Sequence, residues 1–418
     1  PYNGGTHLPD VTVVTPVFID AKPAFWLGSR GHHADIGGRT PGSGPPDSTH
    51  IQEEGVLIDN VQLVTEGVFE EKRARDVLAS GNYTCRNIDQ NIADLKAQIA
   101  ANETGRQALL QVCETYRADV VSAYMGHVQD NAAESVARVI AGLSDGTFVY
   151  DMDEGQQIHV EVRIDKDARK AVVDFSGTSA QHEGNYNAPL AVCRAVVLYV
   201  FRTLVGNDIP LNEGCLRSIE LIVPEGSMLN PNSPAAVIAG NTEVSQATCN
   251  ALIGALGVMA CSQATMNNFI WGNADFQNYE TIAGGTGAGP GFDGCDAVQS
   301  HMTNTRMTDA EILEARFPVR LDRFAIRQGS GGNGKWRGGH GVDRAMTFLE
   351  PVKVTTLCSH RVVQPFGAHD GGPGQVGENF AILPDGRKVL LKGNDEVDLP
   401  AGGQFVLKSP GGGGWGKA

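Results

Sequence analysis

Two glycine-flanked motifs near the start of the chain carry the residue types that bind divalent metals. They are Gly4-Gly-Thr-His-Leu-Pro-Asp10 and Gly31-His-His-Ala-Asp-Ile-Gly-Gly38. Neutral imidazole and carboxylate ligands suit Zn, Mn or Fe(II), and three protein ligands with an open position are typical of a catalytic site. Pro9 disfavours a helix between His7 and Asp10, so a turn would have to direct both side chains inward. His32 or His33 would then join them from a second loop, the alternative being that these histidines are solvated or hydrogen-bonded in the core.

A second group of candidates lies in four polar, glycine-flanked segments of the central region. The segments are Gly240-Asn-Thr-Glu-Val-Ser-Gln246, Thr265-Met-Asn-Asn268, Tyr279-Glu-Thr-Ile-Ala-Gly-Gly285 and His301-Met-Thr-Asn-Thr-Arg306. Amides and hydroxyls between glycines are what a site uses to orient a small polar substrate. Glu243, Asn267 and His301 are the candidates for substrate positioning or proton transfer. For each residue taken alone, the alternative is a structural hydrogen bond.

Two other patterns, a phosphate-binding loop and a serine nucleophile motif, are not matched by the residues of this chain. Gly329-Ser-Gly-Gly-Asn-Gly-Lys-Trp336 is close to the phosphate-binding loop G-x-x-x-x-G-K-S/T, but Trp336 stands where that loop needs a hydroxyl. The glycines that follow also prevent the helix whose N-terminus would face a phosphate. We therefore expect a glycine turn there rather than a nucleotide site. The chain has no G-x-S-x-G, which argues against a serine nucleophile.

The remaining sequence predicts the elements that must position these residues. Val11 to Ile19 is an apolar run typical of a buried strand, and Pro16 places it near an edge or a bulge. Helical spacing of apolar residues predicts about three helices over 67–144, broken near Asn102–Gly105. Further expected elements are a hairpin at 158–175, apolar helices at 188–204 and 245–259, and short strands from 280 onward.

These elements predict an α+β fold built from several segments. Strands and helices do not alternate regularly, as they would in a doubly wound sheet or a barrel. We expect a loop-rich N-terminal region with the metal motifs, a helical excursion, a central mixed α/β region and a β-rich C-terminal region. The expected boundaries are 1–66, 67–150, 151–285 and 286–418.

Composition excludes several classes of protein. The 418 residues include 33 Lys and Arg against 48 Asp and Glu, and the net charge of −15 argues against a nucleic-acid or anionic-membrane binder. No run approaches the roughly 18 apolar residues of a membrane span. Eight cysteines without a C-x-x-C pair indicate reduced thiols and a cytoplasmic location. Because the first residue is Pro1, we expect the chain to be processed or to begin partway through a longer protein.

Taken together, these motifs resemble the hydantoinase B/oxoprolinase family. That family includes large subunits of ATP-dependent hydantoinases, oxoprolinases and lactamases, and it is related to subunits of acetone and acetophenone carboxylases. The resemblance runs essentially end to end, although the chain lacks the family's N-terminal segment. Besides the two metal motifs and the segments that begin at Gly240, Thr265 and His301, it rests on Asn187-Ala-Pro-Leu190, Pro224-Glu-Gly-Ser-Met-Leu-Asn-Pro231, Gly338-Gly-His-Gly341 and Ser409-Pro-Gly-Gly-Gly-Gly-Trp415.

The resemblance implies a metal site formed by His7, Asp10 and His32. His32 is preferred to His33 because relatives often have an aromatic residue at the second position of that pair. The ion would be Zn, Mn or Fe. A further ligand could come from the N-terminal segment that this chain lacks.

The resemblance also implies how the activity is divided. A hydantoinase A-type partner subunit of the actin/Hsp70-like class would bind ATP and phosphorylate the amide oxygen of a hydantoin, 5-oxoproline or lactam. The present chain would hydrolyse the activated ring within a hetero-oligomer. One alternative is a subunit of an ATP-dependent carboxylase of the acetone or acetophenone type, which joins an enolate to carboxyphosphate. A second alternative is a non-catalytic structural subunit or fragment.

Overall fold

The computed structural model describes residues 1–303 and 305–418, and these form the mixed α+β fold that the sequence predicts. Within them the helices are α1 (Glu71–Leu78), α2 (Ile88–Tyr116), α3 (Ala118–Gly142), α4 (Leu190–Thr203), α5 (Ser245–Leu256) and α6 (Ala310–Arg316). The strands are β1 (Asp10–Ile19), β2 (Lys22–His32), β3 (Val64–Thr65), β4 (Val68–Phe69), β5 (Gly146–Asp151), β6 (Gln157–Asp165), β7 (Lys170–Asp174), β8 (Ile219–Ile222), β9 (Asn268–Gly272), β10 (Gln277–Thr281), β11 (Val319–Arg327), β12 (Gly341–Phe348), β13 (Val352–Leu357), β14 (Glu378–Ile382), β15 (Lys388–Leu391), β16 (Asp395–Leu399) and β17 (Gln404–Lys408).

The described strands are arranged in five sheets. Two are the hairpins β1–β2 and β3–β4, and a third has the order β5-β6-β7-β8. The C-terminal part contributes the sheets β10-β9-β13-β16 and β11-β12-β17-β14-β15. Neighbouring strands are antiparallel except β7 and β8, which pair in parallel.

The first hairpin contains the strand expected over residues 11–19. Its register sets Asp10 opposite His32 and Thr12 opposite Arg30. Residues opposite each other in an antiparallel ladder point to the same side of the sheet, and so do residues two apart on one strand. These four side chains therefore share one face. The register shifts between Val17 and Phe18, directly after Pro16, which gives the bulge that the sequence predicts.

Helix α2 is continuous, so the break expected near Asn102–Gly105 is wrong. Asn102 is buried within the helix, where its Nδ2 donates to the carbonyl of Val13 on β1 (3.0 Å). Gln98, one turn earlier, donates in the same way to another β1 carbonyl (2.9 Å). These contacts with the hairpin outweigh the weak helix propensity of Asn and Gly. The helix ends instead at Arg117, whose φ of 69° separates α2 from α3.

Two hydrophobic clusters form most of the core. In the first, α3, α4 and α5 pack against the β5–β8 sheet, with Val160, Val196 and Leu252 fully buried. Helices α4 and α5 confirm the two apolar helices expected over 188–204 and 245–259. In the second, Phe269 and Phe405 stack between the two C-terminal sheets.

Glycine-rich segments form a separate assembly in which backbones pack directly against one another. The segments are 284–289, 329–341, 367–374 and 411–416. Gly412 donates to the carbonyl of Gly339 (2.9 Å) and accepts from the N–H of Gly332 (2.8 Å). A Cβ atom on Gly412 would lie 1.9 Å from the carbonyl oxygen of Thr286. The sequence around Trp336 that resembles a phosphate loop belongs to this assembly.

The structure also bears on two expectations from composition. Among the described residues, none of the helices combines the length and the apolar run that crossing a bilayer would require. All eight cysteines are unpaired, and all but Cys295 are buried. Buried thiols of this kind behave as small apolar side chains.

Candidate metal centre

His7, Asp10 and His32 meet at the open end of the first hairpin. Asp10 begins β1 and lies opposite His32, which ends β2. His7 reaches them from the turn before β1, where the N–H of Asp10 donates to the carbonyl of His7 (3.3 Å). One ligand atom from each residue lies within 4.8 Å of the other two. His7 Nδ1 is 3.6 Å from Asp10 Oδ2, and the two imidazole centroids are 5.3 Å apart.

The protonation states of this cluster suit a cation. His7 is 6% exposed, and its Nδ1 has no hydrogen-bond partner within the part of the chain that the structure describes. Burial lowers the pKa of His7 to about 4 against the opposing effect of Asp10, so the ring is neutral at pH 7. Desolvation also lowers the pKa of His32. A buried nitrogen without a partner costs free energy, and a divalent ion held by two neutral imidazoles and one carboxylate would remove that cost.

His33 has a different environment from its neighbour His32. It is 1% exposed, and its Nδ1 lies 2.9 Å from the amide nitrogen of Asn91. Its Nε2 lies 3.3 Å from Oε1 of Gln98. Both ring nitrogens of His33 are thus engaged by α2, whereas His32 points to the cluster, as the alternation of side chains along β2 requires.

A π-helical turn at Gly240–Val244 contacts the metal motif. Such turns are rare and often occur at functional sites. Asn241 accepts a hydrogen bond at Oδ1 from the N–H of His7 (3.4 Å), and Glu243 in the same turn is fully buried. One short segment therefore contacts both the metal motif and the buried carboxyl.

Glu243 has one carboxyl oxygen without a partner. Its Oε1 accepts from the N–H of Met266 (3.2 Å) and from Nδ2 of Asn268 (2.9 Å). Its Oε2 has no well-formed hydrogen bond to any described residue, although the hydroxyls of Thr265 and Ser359 lie close enough to the carboxyl to lower its pKa slightly. Burial raises the pKa of Glu243 to about 7. A carboxyl that exchanges its proton near neutral pH has the property required of a general acid or base.

Asn268 and Tyr279 lie in two of the polar segments but are not among the candidates predicted from the sequence, and they connect Glu243 to the cluster. The amide nitrogen of Asn268 donates to Glu243 and to the carbonyl of Leu357 (2.6 Å). Its Oδ1 must therefore accept from the Tyr279 hydroxyl (2.6 Å). The Tyr279 ring stacks on His32 with centroids 6.4 Å apart and planes 23° from parallel. This chain of contacts holds Tyr279 against one face of the His32 ring.

The side chain of Asn267 is engaged by protein groups. Its Nδ2 donates to Oε1 of Gln263 (2.9 Å) and to a backbone carbonyl, and its Oδ1 accepts from Arg361 (3.0 Å). It makes no hydrogen bond to Glu243 or to the metal cluster within the described residues. Its substrate-positioning role stays a prediction.

His301 is likewise held by two neighbours. Its Nδ1 lies 3.1 Å from the hydroxyl of Tyr199, and its Nε2 lies 3.1 Å from that of Ser262. Burial lowers the pKa of His301 to about 4, so the ring is neutral at pH 7. Asn304, which belongs to the same sequence segment, lies outside the described residues. The proton-transfer role of His301 also stays a prediction.

A cavity of about 910 Å³ opens beside the metal cluster. His7, Asp10 and Arg30 line one part of its wall, and apolar side chains that include Val56 and Leu78 line another. A mostly apolar pocket with a few convergent polar groups is the usual form of a small-molecule site.

Comparison with known proteins places the chain in a family. A family profile described as Hydantoinase B/oxoprolinase matches residues 1–418. The chain belongs to this family. It is 44% identical to 5-oxoprolinase 1 of Arabidopsis thaliana over 441 aligned positions, which cover 100% of the chain and 35% of that protein. The chain therefore spans about a third of the length of this relative.

Two solved structures share the fold of this hydantoinase B/oxoprolinase chain. The ATP-dependent caprolactamase from Pseudomonas jessenii superimposes with a TM-score of 0.85 at 24% identity, over 99% of the chain and 75% of that structure. A nucleotide-free acetone carboxylase superimposes with a TM-score of 0.86 at 18% identity, over 98% of the chain and 63% of that structure. At such identities the likeness concerns the fold alone.

Proposed function

We propose that the chain is the metal-bearing part of an ATP-dependent cyclic-amide hydrolase of the hydantoinase, 5-oxoprolinase or lactamase type. The observation that carries this proposal is the convergence of His7, Asp10 and His32 within 4.8 Å. It is supported by the unpaired, buried Nδ1 of His7 and by membership in the hydantoinase B/oxoprolinase family.

His7, Asp10 and His32 would hold a divalent cation, either Zn, Mn or Fe. When bound, such an ion supplies Lewis-acid chemistry that stabilises the negative charge developing on oxygen as an amide is hydrolysed. Burial lowers the pKa of both imidazoles, which favours the neutral form that binds a metal ion. Tyr279, held by Asn268, would fix the orientation of the His32 ring.

Opening the ring requires a proton at the departing nitrogen. A water molecule loses a proton as its oxygen adds to the carbon of the phosphorylated amide, and the C–N bond then breaks with its electron pair going to nitrogen, which takes up a proton. This leaves an acyl phosphate, and a second water adds to its carbonyl carbon and releases inorganic phosphate and the carboxylate. We assign the donation of this proton to Glu243, whose Oε2 is unpaired and whose pKa lies at about 7. Its shielding from bulk solvent favours the protonated form that this role needs.

ATP would be bound outside these 418 residues, since the one phosphate-loop-like segment is built into the glycine assembly. The ATP-binding part would be a separate hydantoinase A-type subunit or another region of a longer polypeptide. The second arrangement is compatible with the Arabidopsis relative, of which the chain covers 35%. Phosphorylation of the amide oxygen would make an unstrained ring a better electrophile.

Turnover by the complete enzyme, including its ATP-binding part, tests this proposal. We expect 5-oxoproline, hydantoin or a simple lactam to be opened with release of ADP when bicarbonate is absent. A strict requirement for bicarbonate with a ketone substrate would contradict the hydrolase and support the carboxylase alternative. If the purified protein contains no metal and turns over none of these substrates, the result would support the structural-subunit alternative.

A further inference from the structure

We propose that Arg30 binds an oxyanion of the substrate at the metal end of the 910 Å³ cavity. The oxyanion would be either a carboxylate carried by the cyclic amide or the phosphoryl group of the activated amide. The identity of the substrate rests on the proposed function. The oxyanion site itself can be tested by binding alone.

Arg30 is held in place while its terminal nitrogens stay available. Its Nε donates to Oγ1 of Thr12 (3.0 Å), the residue opposite it on β1. Its Nη1 lies 4.0 Å from Oδ2 of Asp10, beyond hydrogen-bonding distance. Neither terminal nitrogen hydrogen-bonds to a protein acceptor in residues 1–303 or 305–418, and the side chain is 47% exposed. Thr12 thus fixes the guanidinium and leaves its outer edge facing the cavity.

The charges around Arg30 favour an anionic ligand. Without an ion, Arg30 and Asp10 carry opposite unit charges 4.0 Å apart and balance one another. A divalent ion on the cluster would leave a net charge of two positive units, +2 − 1 + 1, on this part of the wall. Asp59 is the other acidic side chain along the cavity, and it is exposed and accepts from its neighbour Asn60 (2.7 Å). The metal end therefore stays positive when the cluster is occupied.

The shape of the site also fits a small cyclic acid. A guanidinium binds a carboxylate or phosphate through two parallel hydrogen bonds, which sets the orientation of the ligand as well as its affinity. The apolar wall near Val56 and Leu78 would receive the methylene groups of a ring. An anion on Arg30 would then leave the amide of the same molecule beside His7 and Asp10.

The test compares two substrates that differ only in the carboxylate, 5-oxoproline and 2-pyrrolidinone, in wild type, Arg30→Gln and Arg30→Lys. If the carboxylate binds Arg30, Arg30→Gln should raise KM for 5-oxoproline by about 10- to 100-fold and change KM for 2-pyrrolidinone far less. Arg30→Lys, which keeps the charge but loses the planar fork, should give an intermediate value. If the phosphoryl group binds there, both substrates should lose kcat/KM equally.

Equilibrium binding tests the oxyanion site separately from the proposed hydrolysis reaction. 5-Oxoproline and inorganic phosphate are titrated by calorimetry into metal-loaded wild type and Arg30→Gln, with Arg138→Gln on the exposed face of α3 as the matched control. The site predicts tighter binding of at least one oxyanion to wild type and to Arg138→Gln than to Arg30→Gln, with equal metal content in all three. Equal affinities in all three proteins would overturn it. Failure of wild type to open either ring would contradict the proposed function but not this site.

Discussion

Replacing Glu243 with Gln is expected to lower kcat by about 10²- to 10⁴-fold while the fold and the metal content are kept. Gln preserves the shape of the side chain and the Oε1 acceptor used by Met266 and Asn268. It cannot donate the proton of a carboxylic acid to a departing nitrogen. Steady-state kinetics with 5-oxoproline and ATP, alongside thermal unfolding, would measure the effect.

The pH dependence of Glu243 adds a second readout. Burial raises its pKa from an ordinary value of 4.5 to about 7, so the protonated form is populated below pH 7. Wild-type kcat should therefore fall as pH rises through about 7, and this fall should be absent in Glu243→Gln. The raised pKa also means that the stability contributed by the neutral acid is lost as pH rises through the folded value. The Gln variant, which stays neutral, should then be at least as stable as wild type at alkaline pH.

Glu54→Gln is the matched control for Glu243→Gln. Glu54 is also fully buried, and burial raises its pKa to about 7 as well. Its oxygens, however, accept from Ser48 and from the N–H groups of Val237 and Ile238. Glu54→Gln should change stability and leave kcat close to wild type. A rise in KM with unchanged kcat in Glu243→Gln would contradict the acid role and indicate that Glu243 only positions Tyr279 through Asn268.

Gly412→Ala is expected to destabilise the fold by about 4 kcal/mol or more, enough to prevent recovery of most of the soluble protein. The new Cβ would lie 1.9 Å from the carbonyl oxygen of Thr286, and that atom belongs to a backbone that cannot rotate away. To remove this clash, the glycine-rich segments would have to separate, and the hydrogen bonds of Gly412 to Gly339 and Gly332 would be lost. Soluble yield and the midpoint of thermal unfolding would measure the loss.

Gly126→Ala provides the control for this substitution. Gly126 lies within α3, and a Cβ there would meet no atom within 4 Å. Because Ala has the higher helix propensity, this variant should be more stable than wild type by up to about 1 kcal/mol. Similar stability of Gly412→Ala and wild type would show that the glycine segments can move apart, contrary to the close packing described above.

Residue type and glycine flanks suffice to select His7, Asp10 and one of the pair His32 and His33, and the family resemblance favours His32 within that pair. Their proximity depends on the register of the first hairpin, which sets Asp10 opposite His32. A slip of one residue would turn His32 to the other face and bring His33 to the cluster. The packing of His33 against Asn91 and Gln98 on α2 opposes that slip. The predicted metal site and the predicted strand structure of the hairpin therefore both depend on the alternation of side chains between the two faces of the hairpin.

Asn268, Tyr279 and Arg30 could not be selected in the same way. Tyr279 reaches Asn268 only because β9 and β10 pair in a particular register, and it reaches His32 only through packing between distant segments. In the sequence, Arg30 cannot be distinguished from an ordinary surface arginine. Only the register of the hairpin places its side chain at the wall of the cavity. A tertiary contact of this kind also explains why the predicted helix break at Asn102 is wrong. The hydrogen bond from Asn102 to β1 stabilises the helix, and the residues next to Asn102 in the sequence do not indicate it.

The most direct test of the metal site is elemental analysis of purified wild type, His7→Ala and His32→Ala, with His127→Ala as the control. His127 lies exposed on α3 and is not one of the clustered residues. The proposed site predicts about one Zn, Mn or Fe per chain in wild type and His127→Ala, and loss of metal together with turnover in the other two variants. Full metal content in His7→Ala and His32→Ala, or a wild-type enzyme that is active without metal, would contradict it.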